Sequence, residues 1–227
     1  MSKFFSVFNI KKLPMDLGRL AEIPLLLFFR LKKYDANGKR IHHIKTRGGK
    51  VIVSNHVSFI DPFIVSACFP LRRMHFVIAD VVMGKGLRRI LLRGMGGIEI
   101  KRDIFDVECI KKSIHVLNDG HLLSVFAQGH IDRTESIDGL KSGAVLMAIR
   151  SKTPIIPVYI IKRKNLFKRQ IVIVGEELDC SAAVSGRIPT ADEIAAATDA
   201  LHDIYLRCLN TADSLKGRND DNTRKAD

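Results

Sequence analysis

Asn55, His56 and Asp61 follow directly on a short β-branched run at residues 50–54. A histidine and a carboxylate can handle protons together if the chain folds one onto the other. The carboxylate then fixes the imidazole tautomer and makes it a better base toward a hydroxyl. In a continuous helix, five positions would separate the two by about 140°, so a compact loop is required. The same residues also fit a plainer pattern, with Asp61 capping a helix whose first position is Pro62 and His56 standing in the preceding loop. His75 and Asp80 repeat the spacing, and there the histidine opens an apolar run and reads as structural.

Three further clusters carry potential chemistry. Gly97-Ile98-Glu99-Ile100-Lys101-Arg102 reads as a strand leaving a glycine turn and ending on two cations. Arg102 is suited to bidentate phosphate contacts and Lys101 to a point charge, although a solvated strand end in a basic protein looks the same. Phe126-Ala127-Gln128-Gly129-His130 ends a strand at a glycine that lets backbone N–H groups approach a ligand. Lys141, at the start of the next helix, adds charge to an anion-binding terminus, or the stretch is an ordinary turn and helix start. Ile155-Ile156-Pro157-Val158 is an apolar run whose mid-run proline suggests an edge strand or an irregularity facing a site.

The elements that must position these groups alternate. Strand patterns occupy 50–54, 75–79, 98–101, 122–127, 154–161 and 171–175, and helical patterns occupy 87–93, 107–118, 143–150 and 191–209. In the first helix Leu87, Ile90 and Leu91 share one side, with Lys85, Arg88, Arg89 and Arg93 around it. Such alternation predicts an α/β domain with a mixed, largely parallel sheet flanked by helices. Sites in these sheets gather at the carboxyl ends of strands, where the four clusters stand.

The chain has 227 residues, 46% hydrophobic and 27% charged, which suits one globular domain and excludes a disordered chain or a disulfide scaffold. Lys and Arg exceed Asp and Glu by 13, a balance that favours polyanionic partners. Aromatic residues number 12 Phe and 3 Tyr with no Trp, a poor stacking platform for single-stranded nucleic acid. Cys68, Cys109, Cys180 and Cys208 are too scattered for a metal knuckle or redox pair and read as inert thiols. Residues 1–50 hold 12 Lys and Arg against 3 Asp and Glu, interleaved with Phe4, Phe5, Phe8 and the run Leu25 to Phe29. That pattern predicts an N-terminal helical segment at 1–44 lying in an anionic membrane interface, or else packed on the core. The best apolar run, Leu20 to Leu31, is too short to span a bilayer and is interrupted by Glu22 and Pro24. No signal peptide is expected. The α/β domain is expected at 45–212 and a polar, disordered tail at 213–227.

In order and spacing, the blocks at 55–61, 97–102, 126–129 with 141–144, and 155–158 resemble the glycerolipid acyltransferase family, best known from 1-acylglycerol-3-phosphate acyltransferases. The resemblance covers residues 45–175. It implies an O-acyltransferase of phospholipid biosynthesis with the family's fold, peripheral or monotopic at the cytoplasmic face of a membrane. His56 would be the general base, oriented by Asp61. The acyl group would pass from acyl-CoA or acyl-carrier protein to the hydroxyl of a lysophospholipid, in the first instance lysophosphatidate. Arg102 would hold the acceptor phosphate, with Lys101 or Lys141 as its partner. Gly129 would shape the pocket, with Asn55, Gln128 and Pro157 also at the substrate site. No metal, further cofactor or nucleic acid is implied. The chain departs from the family's F-P-E-G-T-R block: Ala127 replaces Pro, Gln128 replaces Glu and Ile131 stands at the Arg position. One missing charge-assisted bond is worth roughly 1.5–3 kcal/mol. His130, Arg133 and Lys141 are the candidate replacements, and a different lysolipid acceptor or a non-catalytic membrane-binding relative are the alternatives.

Overall fold

The computed structural model describes residues 29–70, 72–101, 106–129, 139–163, 169–184, 186 and 188–224. The expected membrane-facing segment through residue 28, together with Arg102, His130, Ile131 and Arg133, lies outside the described residues.

In chain order the elements are β1 Lys32–Asp35, β2 Arg40–Ile41, β3 Lys50–Ser54, α1 Asp61–Cys68, β4 Met74–Ala79, α2 Asp80–Met83, α3 Gly86–Gly94 and β5 Gly97–Ile100. They continue with α4 Val107–Asn118, β6 Leu122–Phe126, α5 Gly143–Ser151, β7 Ile155–Ile160, β8 Ile171–Val174 and α6 Ala191–Arg224. The strands form one mixed sheet in the order β2-β1-β8-β7-β3-β6-β4-β5. The five strands from β7 to β5 run mutually parallel. β8 turns antiparallel to β7 and parallel to β1.

Both faces of the sheet are covered, which is why its central strands are apolar on both sides. On β3, Val51 and Val53 face α4, α5 and α6, while Ile52 faces α1 and Phe29. Leu201, Ile204, Tyr205 and Cys208 of α6 fill the first layer. Tyr205 donates its hydroxyl to Val53 O at 2.5 Å, tying α6 to the strand that leads into His56. Among the described residues no helix is long and apolar enough to cross a membrane.

Three expectations are corrected. Phe29 is buried and β1 and β2 join the sheet, so the domain begins well before residue 45. The last helix continues to Arg224, through the stretch expected as a disordered tail. Pro157 does not mark an edge: β7 lies between β3 and β8. The proline is tolerated because the β7–β8 ladder begins at Val158, and Pro157 supplies only its carbonyl, which accepts from Gly175 N at 2.9 Å.

Candidate active site

The loop between β3 and α1 is built around one carboxylate. Asp61 is the first residue of α1, and Ile60 occupies the cap position without a side-chain capping bond. Asp61 therefore does not cap its helix as the sequence suggested. Its carboxylate turns back on the loop instead. Oδ2 accepts from Val57 N at 2.6 Å and Ser58 N at 2.7 Å, and lies 2.9 Å from His56 Nδ1. Pro62, with its preset φ and missing N–H, suits the first turn of α1. The carboxylate is buried and the imidazole largely so. An ionised carboxylate only accepts, so Nδ1 carries a proton toward it, and in the neutral ring the lone pair is then on Nε2.

The ring is also held from below. Parallel pairing of β3 with β6 sets Ser54 beside Phe126, and the Phe126 ring stacks on His56 with centroids 4.0 Å apart. Sequence reasoning gave Phe126 no role; the only local signal was its place before Gln128-Gly129. It also missed Arg163, whose guanidinium sits 5.1 Å over the Phe29 ring. Burial lowers the Arg163 pKa, and the Asp61 charge partly offsets this. Nothing local connects these residues, about a hundred positions apart.

Asn55 is buried; its Nδ2 donates to Ile160 O at 3.0 Å and its Oδ1 accepts from Ile160 N at 2.7 Å. Both ends of the amide bond to β7, so Asn55 clamps the loop to that strand. Pro157 is likewise packed inside the sheet, where a Cβ on Gly175 would stand 3.2 Å from its ring and 2.6 Å from Ile204 of α6.

The third block does converge on the site. β6 neighbours β3, and Ala127 N donates to Ser54 O at 2.9 Å. Gly129 has φ +71, and a Cβ there would stand 3.3 Å from Lys141 Nζ. The Lys141 amide returns to Ala127 O at 3.0 Å, which folds the chain back over the glycine. Lys141 is thus a cation over Gly129, one strand away from His56. Gln128 is buried beside them. Lys101 is exposed at the end of β5, three strand positions from β3, about 14 Å at normal strand spacing. Ser58 supplies its amide to Asp61, and its hydroxyl lies 3.5 Å from Ile60 N.

Comparison with known proteins points to one family. A family model described as Acyltransferase matches residues 37–161. The chain is 26% identical over 172 residues to a 1-acyl-sn-glycerol-3-phosphate acyltransferase of Bacillus subtilis, covering 74% of this chain and 84% of that protein. It is 26% identical over 142 residues to the protein of the same name from Borreliella burgdorferi, covering 57% of this chain. That match spans 52%, about half, of the Borreliella protein's own length. The crystal structure of the 1-acyl-sn-glycerophosphate acyltransferase from Thermotoga maritima superposes with a TM-score of 0.59 at 16% identity, over 91% of this chain and 80% of that one. At that identity the likeness is one of fold.

Proposed function

The chain belongs to the acyltransferase family, and on that premise we propose that it transfers a fatty acyl group from a thioester donor to the free hydroxyl of lysophosphatidate. The observation that carries this reading is the His56–Asp61 contact at the carboxyl end of β3. Nε2 of His56 takes the acceptor's hydroxyl proton as its oxygen attacks the thioester carbonyl. Asp61 stabilises the imidazolium that forms. Collapse of the tetrahedral intermediate breaks the C–S bond, and the departing sulfur takes the proton from His56. An ester and a free thiol result, with no net change at the protein.

Lys141 over Gly129 is the cation we assign to the acceptor phosphate, and the family resemblance adds Lys101 and Arg102 as further phosphate ligands. Acyl-CoA and acyl-carrier protein both satisfy the donor chemistry. The cytoplasmic face of an anionic membrane is the place where such substrates meet. A second reading, the same transfer to another lysolipid, is favoured by buried Gln128, which supplies an uncharged amide where the family carries a carboxylate.

The test is purified chain with vesicles, acyl-CoA or acyl-carrier protein, and a panel of lysolipids, with His56→Ala as control. Phosphatidate formed from lysophosphatidate and lost in the variant supports the first reading. Product only from another lysolipid moves it to the second. No product with any pair overturns both and favours a non-catalytic relative.

A further inference from the structure

Helix α3 is mounted with its apolar side outward. Leu87, Ile90 and Leu91 recur at helical spacing and form one stripe. A stripe of this kind normally faces the core, yet these residues are 81%, 69% and 60% exposed. None of the nine residues of α3 is buried. The helix is held on the sheet by charge. Arg89 Nη2 pairs with the Glu99 carboxylate on β5, and Arg93 Nη2 reaches Glu99 Oε2 at 3.0 Å. The Arg89 hydrogen bond holds the Glu99 carboxyl below its usual range.

The stripe has neighbours of the same kind. Val81 and Val82 of α2, which contacts α3, are exposed as well. Lys85 and Arg88 are exposed beside the stripe. α2 starts where β4 ends, at the same edge of the sheet as His56, because β3 and β4 both run parallel to β6. Exposed Phe59, in the His56 loop, opens onto that edge too.

From this arrangement we infer that the outward face of α2 and α3 is a docking surface for an anionic lipid bilayer. Leu87, Ile90 and Leu91 enter the interface, and Lys85 and Arg88 meet the lipid phosphates. Charge complementarity selects this occupant: an apolar stripe bordered by exposed cations, in a chain of net charge +13, matches an interfacial helix on anionic lipid. A second copy of the chain would bring the same cations face to face. The inference rests on the mounting of α3 and not on the reaction; its test uses no substrate, so either can fail without the other.

The chain has no Trp, which makes Leu91→Trp a unique fluorescent reporter, with Leu206→Trp, at an exposed position of α6, as its counterpart. Full-length variants are mixed with vesicles of phosphatidylcholine, with or without phosphatidylglycerol, carrying doxyl-labelled lipid. L91W is expected to shift to the blue and be quenched on anionic vesicles, with L206W unmoved. Leu87→Ser with Ile90→Ser, made in the L91W chain, is expected to weaken vesicle binding about tenfold or more. An L91W signal that stays solvent-like while the chain floats with vesicles overturns the proposal. So does one already shielded without lipid, whether or not shielding depends on protein concentration, since the chain itself or a second copy would then cover the face. Failure to bind anionic vesicles at all overturns it equally.

Discussion

Asp61 Oδ2 lies 2.9 Å from His56 Nδ1 and at the same time gathers the amides of Val57 and Ser58. One oxygen therefore shapes the loop and orients the ring. The two jobs separate by substitution.

His56→Ala removes the proposed base and leaves the Asp61–amide bonds intact. The expected result is a fall in kcat of about 10²–10⁴-fold with a smaller loss of melting temperature than Asp61→Ala causes. Steady-state assays and thermal melts measure the two. Retention of wild-type turnover would assign the proton to another group.

Asp61→Ala is expected to reduce both activity and stability. Val57 N, which is buried, and Ser58 N, which is partly buried, lose their acceptor, at up to about 1–3 kcal/mol for each donor left unmet. Urea denaturation should show an earlier midpoint with an unchanged slope. Asp61→Asn keeps the shape and an acceptor oxygen but not the charge, so it should lose turnover by more than it loses stability.

Asn55→Ala should behave as a fold variant. Ile160 N and O would lose both partners, again about 1–3 kcal/mol each. Chemical denaturation reports the loss. If the variant instead keeps full stability and only raises the KM for the acceptor, Asn55 is a substrate ligand and the clamp assignment is wrong.

Lys141→Ala should raise the KM for a phosphate-bearing acceptor about 10–100-fold, the value of one charged hydrogen bond, and leave the KM of an uncharged acceptor alone. Gly129→Ala should be costly in its own right. Its φ of +71 is a left-handed conformation that costs an L residue about 1–2 kcal/mol, and the added methyl would crowd Lys141 Nζ. Parallel kinetics on the two acceptor types distinguish charge from shape.

The four cysteines are all buried. Burial pushes the thiols of Cys68 and Cys208 up to about 12, and those of Cys109 and Cys180 up to about 11, from an ordinary value of 9.0. Below pH 9 the thiol is protonated in the folded and unfolded chains alike, so nothing is lost. Above it the unfolded chain ionises first, so stability falls as pH rises from 9 toward these values. Urea midpoints at pH 7.5 and 10.5 should show this decline. Ellman's reagent should label no thiol in the folded chain and four in denaturant.

The sequence by itself determined most of the local structure. Strand β3 and helix α4 fall on the predicted bounds because alternation and helical spacing are properties of a few neighbouring residues. The candidate blocks at 55–61 and 126–129 were legible as segments following strands, since sites in parallel sheets gather at carboxyl ends. Tertiary structure decided the rest. Sheet order put Phe126 under His56, Ile160 beside Asn55 and Lys141 over Gly129, across separations of up to 105 residues that no local pattern encodes. It also reversed two local signals. Asp61, with the form of a helix cap, became the acceptor that orders its own loop, because the loop amides and the imidazole are closer partners than the helix end. The stripe of α3, amphipathic in the way of a core face, points outward, while Arg89 and Arg93 of the same helix turn to Glu99 on β5.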